Sequence, residues 1–365
     1  MRKRFFINII SVFVCILYLY FYRIPLFDAS AYENYAQCAA FWNKYKHTQR
    51  GVVSWSGYGA YRSFLYIAER KFVIPGLEEG FVPQGITFCE SLNSFMISGY
   101  SARGGAAYII TVNAASGRIN GEYKILKSDG SVFTGHSGGI ASYGKYIYIT
   151  DGYMLYYTSL HDFTNTSSSV KIRGAVLLPV SASFISAYDG YLWAGNFYHK
   201  SFGGKYDFSA EDKYGKEYRT LIAGYRFDSS GTGGLRTLKG DMSEMAEPYL
   251  AIYAPDEVQG IAFLDSGQIH LSCSYGRRIM SSQLLYKYPP EKQCDLKIKL
   301  GQKTVPAWFL NNDRLINAVY TQPMSEGTVS RNGKVYVIFE SASEKYKETA
   351  LDPTDSVWEI RWEKH

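Results

Sequence analysis

Residues 134–152 read "TGHSGGIASYGKYIYITDG", and the fold turns on how this stretch is parsed. Gly135-His136-Ser137-Gly138-Gly139 satisfies G-x-S-x-G, the pattern of a serine nucleophile held on a sharp turn between a buried strand and a helix. The flanks do not supply that setting. The preceding "KSDGSVF" is too polar for a buried strand, and Tyr143-Gly144-Lys145 leads into the alternating Tyr146-Ile147-Tyr148-Ile149, a turn followed by a strand. Gly138-Gly139-Ile140 is then the opening of a β-hairpin, and Ser137 is part of its backbone path, not a nucleophile.

The same hairpin recurs. "PQGITFCESLNSFMISGY" from Pro83, "ASFISAYDGYLWAGNF" from Ala182, "VQGIAFLDSGQIHLSCSYG" from Val258 and "SEGTVSRNGKVYVIFES" from Ser325 share its order of polar or small residue, small or β-branched pair, turn and alternating strand. Each is followed by a second candidate strand: "AAYIITVNAASG" from Ala106, "MLYYTSL" from Met154, "LIAGYRFDSSG" from Leu221, "QLLYKY" from Gln283 and "SVWEIRW" from Ser356. Short linking segments such as "EYKILK" and "VKIRGAVLLPV" supply a fourth. Internal repetition of a four-stranded unit predicts an all-β fold, a β-propeller of about five blades, with six as the alternative count. The last unit lacks its fourth strand, and "ERKFVIPGL" (residues 69–77) resembles the linking segments. It is therefore expected to close the ring by completing the final sheet, which removes the open edges.

Composition agrees. The chain has 365 residues, of which 16% are aromatic, including 33 Tyr, and 34 Gly stand against 11 Pro. That balance favours strands joined by tight turns. Three basic residues, Arg2-Lys3-Arg4, precede the uncharged "FFINIISVFVCILYLYFY". This run suits a signal-anchor transmembrane helix with its basic flank in the cytoplasm, placing everything beyond about residue 23 outside. The localisation expected is the cell membrane, single-pass; secretion after cleavage near Ala31 is the alternative. The domains are then 1–29, basic cap and anchor; 30–68, a stalk or flap with a short helix; and 69–365, the propeller. Polar inserts at 197–218 and 229–257 are expected to form rims or lids on one face.

Outside the apolar run lie Cys38, Cys89, Cys273 and Cys294, which permit two disulfides in an oxidising compartment, in any of three pairings. No CxxC spacing suggests zinc. The net charge of +6 is partly clustered at the N-terminus, and no basic stripe supports nucleic-acid binding.

Innermost propeller strands approach the axis, so the repeat places Gln84, Gly138, Ser183, Gln259 and Glu326 at one equivalent position, with His136 and Glu257 two residues earlier. Asn196, His199, Asp151 and Glu340 close second strands, and Arg277 follows one directly. The candidate ligand-binding set is Gln84, His136, Ser183, Asn196, Glu257, Gln259, Arg277, Glu326 and Glu340. A carboxylate among amides, a serine and an imidazole suits a small polar ligand, a glycan, or Ca²⁺ or another divalent metal held through oxygen. Arg277 offers an anion clamp. Glu326 and His136 are the catalytic candidates, and Glu326 with Glu340 could form an acid–base pair.

"VPQGIT", "TGHSGGIA", "VQGIAF" with "SYGR", and "PMSEG" with "FESASEKY" resemble a motif set of bacterial exported propeller proteins. More loosely, they are similar to the regucalcin-like lactonases and strictosidine-synthase-like propellers. That resemblance covers about residues 70–362 and implies a divalent metal held at the channel by a Glu, two Asn and an Asp. Glu326 and Asn196 fill two of those roles, while Gln84 and Gln259 stand where stronger ligands are expected, and the lactonases have six blades. The leading functional expectation is a membrane-tethered propeller binding a small polar or glycan ligand in its funnel. The alternative is a metal-dependent hydrolase of a lactone, glycoside or phosphoester. An envelope protein partner is a third class.

Overall fold

The structure, a computed structural model, describes residues 59–163, 167–202, 208–239, 244–289 and 293–364. The apolar N-terminal run, the cleavage pattern at Ala31, Cys38 and most of the stalk lie outside the described residues. Among the described residues no helix is long and apolar enough to cross a membrane.

Five sheets stand around one axis. Their innermost strands are Phe81–Cys89 (blade I), Gly139–Tyr143 (II), Phe184–Tyr188 (III), Val258–Leu264 (IV) and Ser325–Arg331 (V). Blade V is completed by Ala68–Val73, which pairs antiparallel with Ser356–Ile360, so the chain's beginning closes its end as the sequence predicts. The short helix Arg62–Ile67 precedes that strand and buries Phe64, Leu65 and Ile67.

Five hydrophobic clusters fill the five junctions between blades. Both faces of an inner strand are covered by neighbours, which is why all nine residues of Phe81–Cys89 are buried. Trp193 in the III/IV junction and Trp358 in the IV/V junction are fully buried. Burying a large apolar side chain is worth about 1.5–3 kcal/mol, so these junctions, not the hairpins themselves, hold the ring.

The outer strands differ from the sequence reading in two blades. "MLYYTSL" is not a separate third strand of blade II: Tyr146–Ser159 runs unbroken through it, bending at Gly152 (φ 59°), and the third strand is Gly174–Ala182. Residues 229–257 are not a lid. Thr237–Lys239 and Glu244–Ala246 extend blade II, and Pro248–Ala254 is the fourth strand of blade III. A hairpin of Leu296–Leu300 and Lys303–Phe309 widens blade III further. The two-disulfide arrangement is also corrected. Cys89, Cys273 and Cys294 are all free, and two bridges among four cysteines would need at least one pair from these three.

The candidate site at the propeller axis

The repeated glycine sets the ring's diameter. A Cβ on Gly327 would stand 2.8 Å from Gly85 Cα and 2.9 Å from Gln84 O. One on Gly85 would meet Ile140 N at 2.9 Å, one on Gly139 would meet Ile185 N at 2.7 Å, and one on Gly260 would meet Thr328 N at 2.8 Å. Backbone thus touches backbone from blade IV through V, I and II to III. In blade III the position holds Phe184, whose side chain enters the III/IV core.

The residue before that glycine is expelled from the ladder. Register shifts fall between Pro83 and Gly85, Val258 and Gly260, and Ser325 and Thr328, leaving Gln84, Gln259 and Glu326 as the extra residues of β-bulges. A bulge re-aims a side chain without breaking the strand. Here it turns three polar side chains from the sheets toward one another.

They meet around two carboxyls. Gln84 Nε2 donates to Glu340 Oε2 at 3.0 Å and to the Pro83 carbonyl at 3.0 Å. Gln259 Nε2 donates to Glu326 Oε1 at 3.3 Å. Glu326, only 5% exposed, is hydrogen-bonded to Glu340. Burial, then the neighbouring charge of Glu340, raises Glu326 well above the ordinary carboxyl range. Burial also raises Glu340, but Gln84, the Lys345 ammonium, the bond from Glu326 and the Arg277 charge restrain it to about 7. The two carboxyls therefore hold a proton between them where separate surface carboxyls would hold none, because two carboxylates this close cannot both ionise out of water.

Around the pair stand Tyr100, His136, Lys345 and Tyr346. Lys345 Nζ donates to Tyr100 Oη at 2.7 Å, and the Tyr100 ring lies 5.0 Å from the His136 ring. Burial, a hydrogen bond with Tyr346 and the Glu340 and Glu326 charges raise the Tyr100 phenol. The outer edge of His136 is open to solvent, yet the wall packed around it withholds water from the imidazolium and lowers its pKa. Lys345 adds to that shift and Asp151 opposes it. The His136 backbone N–H is fixed by Asp151 Oδ1 at 3.2 Å.

Of the other predicted residues only Arg277 acts on the pair, through its charge. Ser183 Oγ accepts from Phe197 N at 3.3 Å. The Asn196 carboxamide is consumed by backbone, accepting from Leu221 N at 2.7 Å and donating to Arg219 O at 3.2 Å, so it is not placed as a metal ligand. Glu257 (φ 68°) pairs with His199 at 3.4 Å, and His199 stacks on Tyr275 at 3.6 Å, a separate group between blades III and IV. Exposed Arg277 lies over Tyr346 and donates to Thr349 Oγ1 at 3.2 Å. Ser137 has φ 54° and is fully buried, with a strand after it instead of a helix. Its carbonyl accepts from Ser98 Oγ at 3.1 Å.

The divalent metal implied by the resemblance does not fit these residues. The Asn196 carboxamide is spent on backbone, both Gln amides turn their N–H groups toward the carboxyls, and among the described residues no three His, Cys, Asp or Glu side chains are grouped to hold an ion. Clefts of about 510, 610 and 700 Å³ open on the outer strands of the blades. The convergent polar groups and perturbed carboxyls lie apart from these clefts, at the axis, and mark the principal candidate site.

No family profile matches the chain, and no curated protein matches it. Its fold is similar to that of solved propellers. One is the PQQ-bound aldose sugar dehydrogenase of Streptomyces coelicolor (13% identity, 80% of this chain and 97% of that one, TM-score 0.42). The glutaminyl cyclase of Myxococcus xanthus aligns at 11% identity over 80% of this chain and 95% of that one, with a TM-score of 0.41. The WD40 β-propeller domain of Doa1 aligns at 10% identity over 81% and 98%, with a TM-score of 0.38. At these identities the likeness concerns fold alone.

Proposed function

We propose that the protein is a membrane-tethered, extracytoplasmic propeller that binds an uncharged, hydroxyl-rich small molecule, a sugar or similar glycan unit, in the pit at its axis. One observation carries this: the Gln84, Gln259, Glu326 and Glu340 cluster turns amide N–H groups inward on its own carboxyls and keeps acceptors free. Both Gln amides donate to the carboxyls, and among the described residues neither Gln carboxamide oxygen accepts a hydrogen bond. The free carboxamide oxygens suit a ligand that donates, as hydroxyls do, and Tyr100 and His136 offer ring faces beside them. The tether rests on the apolar run beside Arg2-Lys3-Arg4. Protease added to intact cells should digest the propeller, and full protection would refute that placement.

The binding test is calorimetric titration of the protein with a panel of neutral mono- and oligosaccharides. Saturable binding that is lost in Gln84→Ala and Glu326→Gln is expected. A panel without a binder, or binding untouched by both substitutions, overturns the reading.

A second reading, hydrolysis with the carboxyl pair as acid and base, is favoured by Glu340 standing near 7. Turnover of glycoside or lactone substrates abolished by Glu340→Gln would replace the binding proposal.

The pair also has a stability signature. Carboxyls raised in the folded state hold protons that the unfolded chain releases, so the pair's own contribution to stability is fully present at and below about pH 4.5 and is lost as pH rises through 7. Glu326→Gln removes one of the two acids while keeping its shape. At pH 8 it should be more stable than the native protein by about 1–2 kcal/mol, the gain vanishing near pH 4. Urea titrations at both pH values check this, and equal slopes with pH in the two proteins would contradict it.

A further inference from the structure

At the far end of blade III, away from the axial pit, a cleft of about 700 Å³ opens on the turn Asp189-Gly190. Tyr191 and Arg226 are direct cross-strand partners above it, and Tyr249 is the second residue of the next strand. The Arg226 guanidinium lies 4.4 Å from the Tyr249 ring centroid and 5.7 Å from that of Tyr191, with Nη2 donating to Tyr191 Oη at 3.4 Å. Two tyrosines therefore flank it. Among the described residues no carboxylate pairs with it, and Asp189, the one acidic group lining the cleft, stays at the turn.

The walls are aromatic and partly wet. Tyr249 is 48% exposed. Phe227 stacks on the 44% exposed Tyr143 at 3.6 Å, extending the platform onto blade II. Trp308 closes the back, its indole N–H already spent on Gln293 O at 2.8 Å. An exposed guanidinium flanked by two tyrosines and lacking a carboxylate partner keeps N–H donors for a ligand, and its planar fork matches a carboxylate bidentately. Tyr249 offers a face for the C–H side of a ring, and Asp189 accepts hydroxyls.

We propose that this cleft binds a carboxylated sugar of the uronate type, its carboxylate on Arg226 and its ring against Tyr249. A phosphate or a lipid headgroup suits it less, since only one cation is present and Asp189 repels a second negative charge. The site is independent of the axial pit.

Titration of the full chain with galacturonate and tetragalacturonate, by calorimetry or by ligand-observed NMR, tests it, with glucose and inorganic phosphate as comparisons. Uronate should bind about tenfold or more tightly than either comparison, and added salt should weaken it. Arg226→Lys, which keeps charge but loses the fork, should weaken binding about tenfold, and Arg226→Gln should abolish it. Tyr249→Ala should weaken it, and Glu326→Gln should leave it unchanged, separating this site from the pit. Phosphate or an acidic peptide competing as well as uronate would reduce the cleft to a general anion site. Uronate binding retained in Arg226→Gln would overturn the assignment.

Discussion

Gly327→Ala should destabilise the propeller by more than about 3 kcal/mol, beyond the usual range for overpacking. The added methyl would stand 2.8 Å from Gly85 Cα, 2.9 Å from Gln84 O and 2.9 Å from Ile86 N. All three are backbone atoms of blade I, so no rotamer change relieves the clash. Blade I would have to retreat, yet it is clamped on its other side by Gly85 against Gly139 and Ile140 of blade II. In a closed ring an outward step at one junction opens every junction. Gly104→Ala is the control, since nothing lies within 4 Å of its Cβ, and it should move stability by less than about 0.5 kcal/mol. Urea unfolding followed by circular dichroism compares them. A Gly327→Ala protein as stable as the Gly104→Ala control would mean that the inner strands do not interlock as described.

That glycine is also why the fold was legible. A polar residue, a Gly and an Ile or Thr ahead of an alternating strand records two constraints at once: a bulge that turns a side chain to the axis and a backbone too close to its neighbour for a Cβ. Gln84-Gly85, Gln259-Gly260 and Glu326-Gly327 carry both, so sequence comparison brings these residues to one level. Glu340 was legible as the end of a strand beside Glu326. Tyr100 and Lys345 were not, because they enter the pit from a strand end and a long loop whose path no periodicity encodes. Their one trace is proximity: Lys345 follows Glu340 within "FESASEKY". Asn196 misled for the opposite reason. A polar residue closing a strand looks the same whether its amide serves a ligand or, as here, the next strand's backbone. The outer strands of blade II escaped because edge strands of three residues, such as Glu244–Ala246, are too short to show a period of two, and Pro248–Ala254 of blade III escaped because it is buried on both faces and does not alternate.

Glu359→Gln should cost about 2–3 kcal/mol at pH 7, since the carboxylate removed is buried and multiply bonded while the cations it leaves are partly exposed and regain water. Glu359 is only 1% exposed on the third strand of blade V. Its carboxylate accepts from Arg361 Nε at 2.7 Å and Tyr336 Oη at 2.8 Å, and lies 3.1 Å from Lys71 and 3.1 Å from Lys334. Burial alone would raise its pKa, but these donors more than reverse that and hold it at about 2. The sign follows: a carboxyl depressed in the folded state stabilises fully above its ordinary 4.5, and that contribution is lost as pH falls toward 2. The native protein should therefore lose stability steeply across that window while Glu359→Gln, already without the ion cluster, should not. Lys71→Met tests the same cluster from the closing strand and should cost less, because Lys71 is partly exposed and the remaining donors still neutralise Glu359. Lys71 sits on the strand that completes blade V, so the cluster fastens the two chain ends together. A chain beginning at residue 74 lacks both the strand and its lysine and should not unfold cooperatively, whereas one beginning at residue 30 should. If Glu359→Gln keeps both native stability at pH 7 and the native acid transition, the ring is closed by its hydrophobic junctions alone and the ionic clasp is incidental.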